Sequence, residues 1–382
     1  MLAPTNPAEL ADALRAAASN RQTVNVSGNS TKRRMAGPIE PAAVEISTLS
    51  MRRIIEYEPR DLTVSVDAGL SWREFMRMLA ENRQMVPLDP PFGEGATVGG
   101  VIAANTCGPR RRLYGTARDL VIGMQFATLE GKLVQSGGMV VKNVAGLDMA
   151  KLMIGSFGTL AAITVVNFKL LPMPEMDRSF LLPFEDLAQA IAARDRILRG
   201  QLQPVAIDLL NPLAGATLGN RAWLLALRAA GNDAAVERYE REFAEWSKGM
   251  AFDNDRQATL WRHVENFTPS FLADQPDGAV VRASCTLKEL EAVMASFEGP
   301  AVARAGSGVC YGYFAQSAAA AAWLAKATER GWKIVIEYAS DQARQSLELW
   351  PKPGNDFGIM QRVKNLFDPS NLLNRGRLYR RI

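Results

Sequence analysis

A single histidine and only three cysteines in 382 residues remove several chemistries at the outset. A metal centre needs three or four clustered ligands. Here His263 stands alone in Leu260-Trp261-Arg262-His263-Val264-Glu265, and Cys107, Cys285 and Cys310 form no C-x-x-C. The odd, unpatterned cysteines argue against a disulfide framework and for a reducing compartment, and they supply no iron–sulfur ligand set. No run of about eighteen apolar residues occurs, and Met1-Leu2-Ala3-Pro4-Thr5-Asn6 has neither a basic n-region nor an apolar core. The expectation is a cytoplasmic protein that reaches the inner face of a membrane only through partner subunits. Charge of one sign is scarce too. The formal balance is +4, with basic and acidic residues interleaved except at Arg110-Arg111-Arg112 and between 375 and 381, which speaks against nucleic-acid binding. Also missing is G-x-G-x-x-G, because Val98 follows Gly93-x-Gly95 and Tyr311 follows Gly306-x-Gly308 where the third glycine belongs. That excludes the ordinary Rossmann fingerprint.

What the chain does have is glycine in two dense patches. One runs Gly93-Glu94-Gly95-Ala96-Thr97-Val98-Gly99-Gly100; the other runs Val141-Lys142-Asn143-Val144-Ala145-Gly146-Leu147-Asp148 and closes on Gly155-Ser156-Phe157-Gly158-Thr159-Leu160. Upstream, a strand-like Val24-Asn25-Val26 leads into Ser27-Gly28-Asn29-Ser30-Thr31-Lys32, rich in turn formers and hydroxyls. Glycines let several N–H donors converge on an anion without a Cβ in the way. A dinucleotide pyrophosphate suits such a cradle.

With 48% hydrophobic residues the chain can bury more than one core. Residues 7–19 place Leu10, Ala13, Leu14 and Ala17 on one helical face behind Thr5 or Asn6 as cap, and residues 71–82 form a second helix capped by Ser71. Strand patterns at 44–46, 62–66, 120–128, 131–136 and 159–171 alternate with them. Asp148 reads as the N-cap of a short helix that exits at Gly155. The prolines of Leu170-Leu171-Pro172-Met173-Pro174 mark a boundary. Beyond it, helical (184–198, 234–246) and strand (204–210, 222–227, 279–284) patterns predict an antiparallel sheet with helices on one face. The Ala-rich 317–325 segment reads as a helix, either in the core or at an interface. A strand at 333–338 and a helix at 357–367 complete the chain. The fold class is α+β, and the expected division is 1–172, 173–330 and a C-terminal segment 331–382 that returns to the first domain.

Six motifs in order (27–32, 96–100, Tyr114-Gly115-Thr116-Ala117-Arg118-Asp119-Leu120, 142–148, 155–160, and Phe367-Asp368-Pro369 through Arg377) resemble the FAD-binding PCMH-type flavoproteins of the vanillyl-alcohol oxidase-like superfamily, and among them the FAD-binding subunits of glycolate oxidase. The resemblance implies a two-lobed FAD domain followed by a cap. It implies that Ser27, Gly28, Asn29, Ser30, Thr31 and Lys32 hold the pyrophosphate, with Ala96, Thr97, Val98, Gly99 and Gly100 on its other side. Ala104, Asn105 and Gly108 would run along the ribityl chain and flavin, with Gly158, Thr159 and Ile163 beside the adenosine or flavin part. Pro87, Asp119, Lys142 and Asn143 are carried over as further cofactor contacts. Lys142 and the Arg110–Arg112 run would place positive charge near flavin N1. No histidine precedes residue 173, so the FAD is expected to be noncovalent, with Cys107 the one conceivable point of attachment. Relatives that oxidise 2-hydroxy acids carry histidines in the cap and tail. Here Cys310 and Tyr311 stand in that neighbourhood, Tyr311 is the remaining acid/base candidate, His263 reads as structural, and Arg375 replaces a common proline. The implied partners are a second flavoprotein subunit and an iron–sulfur subunit of a glycolate oxidase complex. A non-redox scaffold and a self-sufficient flavin oxidoreductase stay open as alternatives.

Overall fold

The computed structural model describes residues 1–140, 147–247, 251–252 and 254–382. It divides into two compact units, one of Met1–Thr106, Thr116–Met173 and Lys352–Ile382, the other of Cys107–Gly115 and Pro174–Pro351.

The first unit holds a parallel pair, β1 (Val24–Ser27) with β2 (Val44–Ser47), and an antiparallel sheet. That sheet runs β3 (Ile54–Glu58), β4 (Thr63–Asp67), β8 (Ala162–Lys169), β6 (Val121–Ala127) and β7 (Leu133–Gly137) in spatial order; β5 (Gln84–Met85) and β9 (Leu171–Pro172) form a separate ribbon. Every residue of β4 is buried. Its neighbours β3 and β8 satisfy both backbone edges, and the Asp67 carboxylate accepts from Arg53 N and Nε at 2.9 and 3.0 Å. Helix Pro7–Ser19 forms where its pattern predicts. Asn6 caps it through Glu9 N at 3.1 Å, and Leu10, Ala11, Leu14 and Ala17 bury one stripe against Val24, Ile46, Leu129 and Leu373. Ser71 and Asp148 likewise cap helices Trp72–Glu81 and Met149–Met153.

The C-terminal chain is stitched into this unit. Leu372 O accepts from Val24 N at 2.8 Å, and Lys364 Nζ, on helix Phe357–Phe367, donates to Thr159 O, Asp368 Oδ2 and Leu373 O.

The second unit is built on one eight-stranded sheet. Its spatial order is β13 (Ala251–Phe252), β10 (Met176–Phe184), β12 (Trp223–Gly231), β11 (Ala206–Leu210), β15 (Ala301–Arg304), β16 (Val309–Phe314), β14 (Ala279–Ser284) and β17 (Lys333–Tyr338), every pairing antiparallel. Alternation decides its faces. Leu209, Leu225, Val281, Ala303, Cys310 and Ile336 join a core covered by helices Leu187–Arg199, Leu290–Ala295 and Ser317–Glu329, so the Ala-rich helix is a core helix through Ala320, Leu324 and Ala327. The alternate residues make the other face. Helices Asn254–Glu265 and Phe267–Asp274 reach it through Trp261 Nε1 to Ser179 Oγ at 2.6 Å and a Thr268–Tyr313 hydroxyl pair at 2.9 Å.

Two features depart from the sequence pattern. β10 follows directly on the proline-marked boundary, over residues where the pattern predicts no strand; it tolerates Pro183 because its outer neighbour β13 pairs only at Ser179 and Phe180. β17 belongs to this sheet rather than to the returning segment, which starts at Lys352.

Candidate functional site

β1 ends at Ser27, and the chain then turns through 28–32 with Ser30 in the left-handed region at φ 53°. This loop abuts the start of helix Val98–Ala104 so closely that a Cβ on Gly28 would lie 2.3 Å from Thr97 Oγ1. Only glycine fits there. Asn29 Nδ2 ties the loop to Gly95 O at 2.8 Å. From the other side comes the turn 156–158, whose Phe157 N donates to Ala103 O at 2.9 Å. Asn374 pins two of these pieces together: its Oδ1 accepts from Val26 N at 2.7 Å, and its Nδ2 donates to Val26 O and Phe157 O at 3.2 and 2.9 Å. Gly158, at φ +69°, leaves the space that Asn374 Nδ2 takes. Arg377 donates to Met35 O and Gly37 O and holds the far end of the loop.

The result is a pocket within the first unit. It is lined by twelve of the residues singled out above: Ser27, Gly28, Asn29, Ser30, Thr31, Lys32, Thr97, Gly99, Gly100, Ala104, Gly158 and Ile163. Asn25, Val26, Arg33, Ile39, Glu45, Thr48, Ala68, Ala103, Phe157, Ala162, Asn374 and Arg377 complete the lining, and sequence reasoning missed them as contacts. For Asn374 and Arg377 a signal existed, because both lie in the tail motif quoted as part of the resemblance.

The two halves of the cradle are electrically unlike. Among the described residues, the amide N–H groups of Gly28, Asn29, Ser30 and Thr31 donate to no protein acceptor. Those of Val98, Gly99 and Gly100 are already used, on Leu70 O at 2.9 Å, Ala68 O at 2.7 Å and Thr97 Oγ1 at 3.2 Å. The second segment, expected to grip the anion through its amides, therefore backs the first by packing. Lys32 adds charge: its side chain is buried, Nζ has no hydrogen-bond partner, and burial pushes its pKa down to about 8. Unspent amides beside an unpartnered buried ammonium fit a dinucleotide diphosphate.

The remaining expected contacts lie elsewhere. Asp119 accepts from Thr116 N and Oγ1 at 2.8 and 3.1 Å and closes a capping box, a local structural role. Thr159 is buried with Oγ1 on Ser156 O. Asn105 takes φ 50° to end helix Val98–Ala104, and Ala96 O accepts from Trp72 N. Pro87, Ala96, Val98, Asn105 and Thr159 do not line the pocket, and Gly108 falls in the second unit. Lys142 and Asn143 lie outside the described residues.

In the second unit Tyr311 sits on the polar face of the sheet, 5.6 Å below the Arg304 guanidinium and opposite Arg282 in register. Burial raises its pKa, so the phenol holds its proton more firmly than a free tyrosine and is less available to accept one. His263 shares a 2.7 Å hydrogen bond between Nε2 and Thr217 Oγ1, packs edge-on against Phe267, and is held by burial below its ordinary pKa. Burial raises the Cys107 thiol as well, against thiolate chemistry there. The Arg110–Arg112 run is not a solvated strip at its end. Arg112 donates to Pro204 O at 2.8 Å and Gln203 Oε1 at 2.5 Å and fills the space over Gly306. It straps the 107–115 excursion to the second unit.

Residues 1–137 match an FAD binding domain, and residues 349–378 match the C-terminal domain of FAD linked oxidases. The chain is 34% identical over 193 residues to glycolate oxidase subunit GlcE of Escherichia coli, covering 50% of this chain and 53% of that one. It is 29% identical over 213 residues to glycolate oxidase subunit GlcD of Bacillus subtilis, covering 55% and 45%. It thus spans about half the length of these curated relatives. Among solved structures, 4-ethylphenol oxidase from Gulosibacter chungangensis shares the fold with a TM-score of 0.72 at 14% identity, over 98% of this chain and 88% of that one.

Proposed function

We propose that this chain is a PCMH-type FAD-binding flavoprotein and the FAD-carrying subunit of a multi-subunit glycolate (2-hydroxy acid) oxidase or dehydrogenase, a reading supported by its matches to an FAD binding domain and to the C-terminal domain of FAD linked oxidases. In this reading it holds FAD noncovalently and relays electrons rather than oxidising substrate alone. Bound FAD supplies the capacity to accept a hydride and pass electrons on. The chain's own part is binding. The free amides of Gly28, Asn29, Ser30 and Thr31 and the Lys32 ammonium meet the diphosphate, while Thr97, Gly99 and Gly100 hold that loop in place.

The observation that carries the relay reading is the state of the two candidate proton acceptors. Oxidation of an α-hydroxyl needs a base poised near working pH. His263 is the one histidine and is engaged by Thr217, while burial keeps the Tyr311 phenol protonated and so unable to accept a proton. This supports a companion polypeptide as the site of proton abstraction. The names of GlcE and GlcD as glycolate oxidase subunits support partners of that kind: a second flavoprotein and an iron–sulfur subunit. No helix among the described residues is long and apolar enough to cross a membrane, so attachment to one would run through those partners.

Purifying the chain alone and with co-expressed partners tests the proposal. The expected result is a yellow isolated chain whose flavin is not bleached by glycolate, and rapid bleaching once the partners are present. Bleaching of the isolated chain at the rate of the complex would replace this reading with a self-sufficient oxidoreductase; a colourless chain in an active complex would replace it with a scaffold.

A further inference from the structure

Lys32 is anomalous for a lysine. The residue is 8% exposed, it lines the same pocket as Gly28 and Gly100, and its Nζ meets no acceptor, whereas the other deeply buried lysine among the described residues, Lys364, has three. An uncompensated ammonium in such a place is costly, and folds do not keep one without a counter-charge. The charged groups that share the pocket do not supply it. Glu45 accepts from Asn25 Nδ2 at 2.9 Å, Arg377 is committed to backbone carbonyls, and Arg33 is of the same sign. The turn that carries it is closed by backbone bonds, Arg33 N to Ser30 O and Met35 N to Lys32 O, both at 3.0 Å.

We infer that Lys32 is the counter-cation of the cofactor's diphosphate, a buried charge that destabilises the empty protein and is neutralised when the dinucleotide enters. This rests on the FAD reading and adds to it an energetic role for one residue. Two consequences have opposite signs. Replacing Lys32 by Met removes an unpaired charge from the empty protein and so raises its melting temperature, yet it also removes a charge-assisted contact and so weakens FAD. The ammonium, held near 8 by burial in the empty pocket, is pulled up by an anion, so binding above pH 8 takes up a proton.

The test uses the full chain as wild type, Lys32→Met and Lys32→Arg, freed of cofactor. Melting is followed by calorimetry, and binding of FAD, ADP and riboflavin by titration calorimetry at pH 8.5 in buffers of different ionisation enthalpy. The expected result is a Lys32→Met apoprotein that melts a few degrees higher and binds FAD and ADP about 10- to 100-fold more weakly, with riboflavin unchanged. Lys32→Arg should recover much of the FAD affinity, and only the wild type should show buffer-dependent proton uptake. Unaltered FAD affinity in Lys32→Met, or a Lys32→Met apoprotein that melts lower or fails to fold, overturns the inference. A wild type that takes up no FAD at all overturns the cofactor reading beneath it instead.

Discussion

The pocket of the first unit and the polar face of the second unit's sheet treat charge in opposite ways. On the sheet face three buried or half-buried charge pairs form: Asp177 with Arg228 at 2.5 Å, Asp208 with Arg304, and Arg282 with Glu337 at 2.9 Å. In the pocket four amides and one ammonium are left unspent. A fold that pairs its buried charges in one place and leaves a buried charge without a counter-charge in another marks where a charged ligand completes it. The comparison also teaches that arginine density is a poor guide to an anion site, since Arg228, Arg282 and Arg304 answer to the second unit's own carboxylates and Arg112 to its backbone and an amide.

Breaking the satisfied side should cost most. Asp208 is fully buried and directly opposite Arg304 across β11 and β15, so Asp208→Asn strands a buried guanidinium and should destabilise the protein by about 3–5 kcal/mol, read by denaturant unfolding. Wild-type stability in that variant would show that the pair is not a buried structural contact. A middle effect falls on the clamp. Asn374→Ala loses bonds to Val26 N, Val26 O and Phe157 O and should cost about 1–3 kcal/mol, with a faster release of FAD in stopped-flow displacement. Destabilisation without faster release would detach the clamp from the pocket. The smallest effect concerns His263. Its folded pKa lies below the unfolded value near 6.5, so the unfolded chain binds the proton more readily and stability is lost as pH falls below that value. His263→Gln should flatten the fall in melting temperature between about pH 6.5 and 5; an unchanged slope would assign the fall to other groups.

Much of this was legible in the residues. Strands Ala279–Ser284 and Lys333–Tyr338 and helix Phe357–Phe367 follow from periodicity alone, because their patterns are strong and their ends carry turn residues or caps. The loop 27–32 was legible as a cradle because its glycine and hydroxyl residues are contiguous. Its clamp was not: Asn374 lies 348 residues from Val26, and no local pattern reports a contact at that range. Asp119 shows the opposite failure, where a motif suggested a ligand and local capping chemistry claims the carboxylate. The grip expected of residues 97–100 fails for a related reason, because a glycine-rich sequence reveals which amides a backbone can present but not which the fold will already have used.

That last distinction gives the most direct test. Amide hydrogen exchange, followed by mass spectrometry on the chain with and without FAD, separates open donors from spent ones. Strong new protection across residues 28–31, with 98–100 slow in both states, is the predicted outcome. Protection gained at 98–100 while 28–31 stay as fast as in the empty protein would contradict the account.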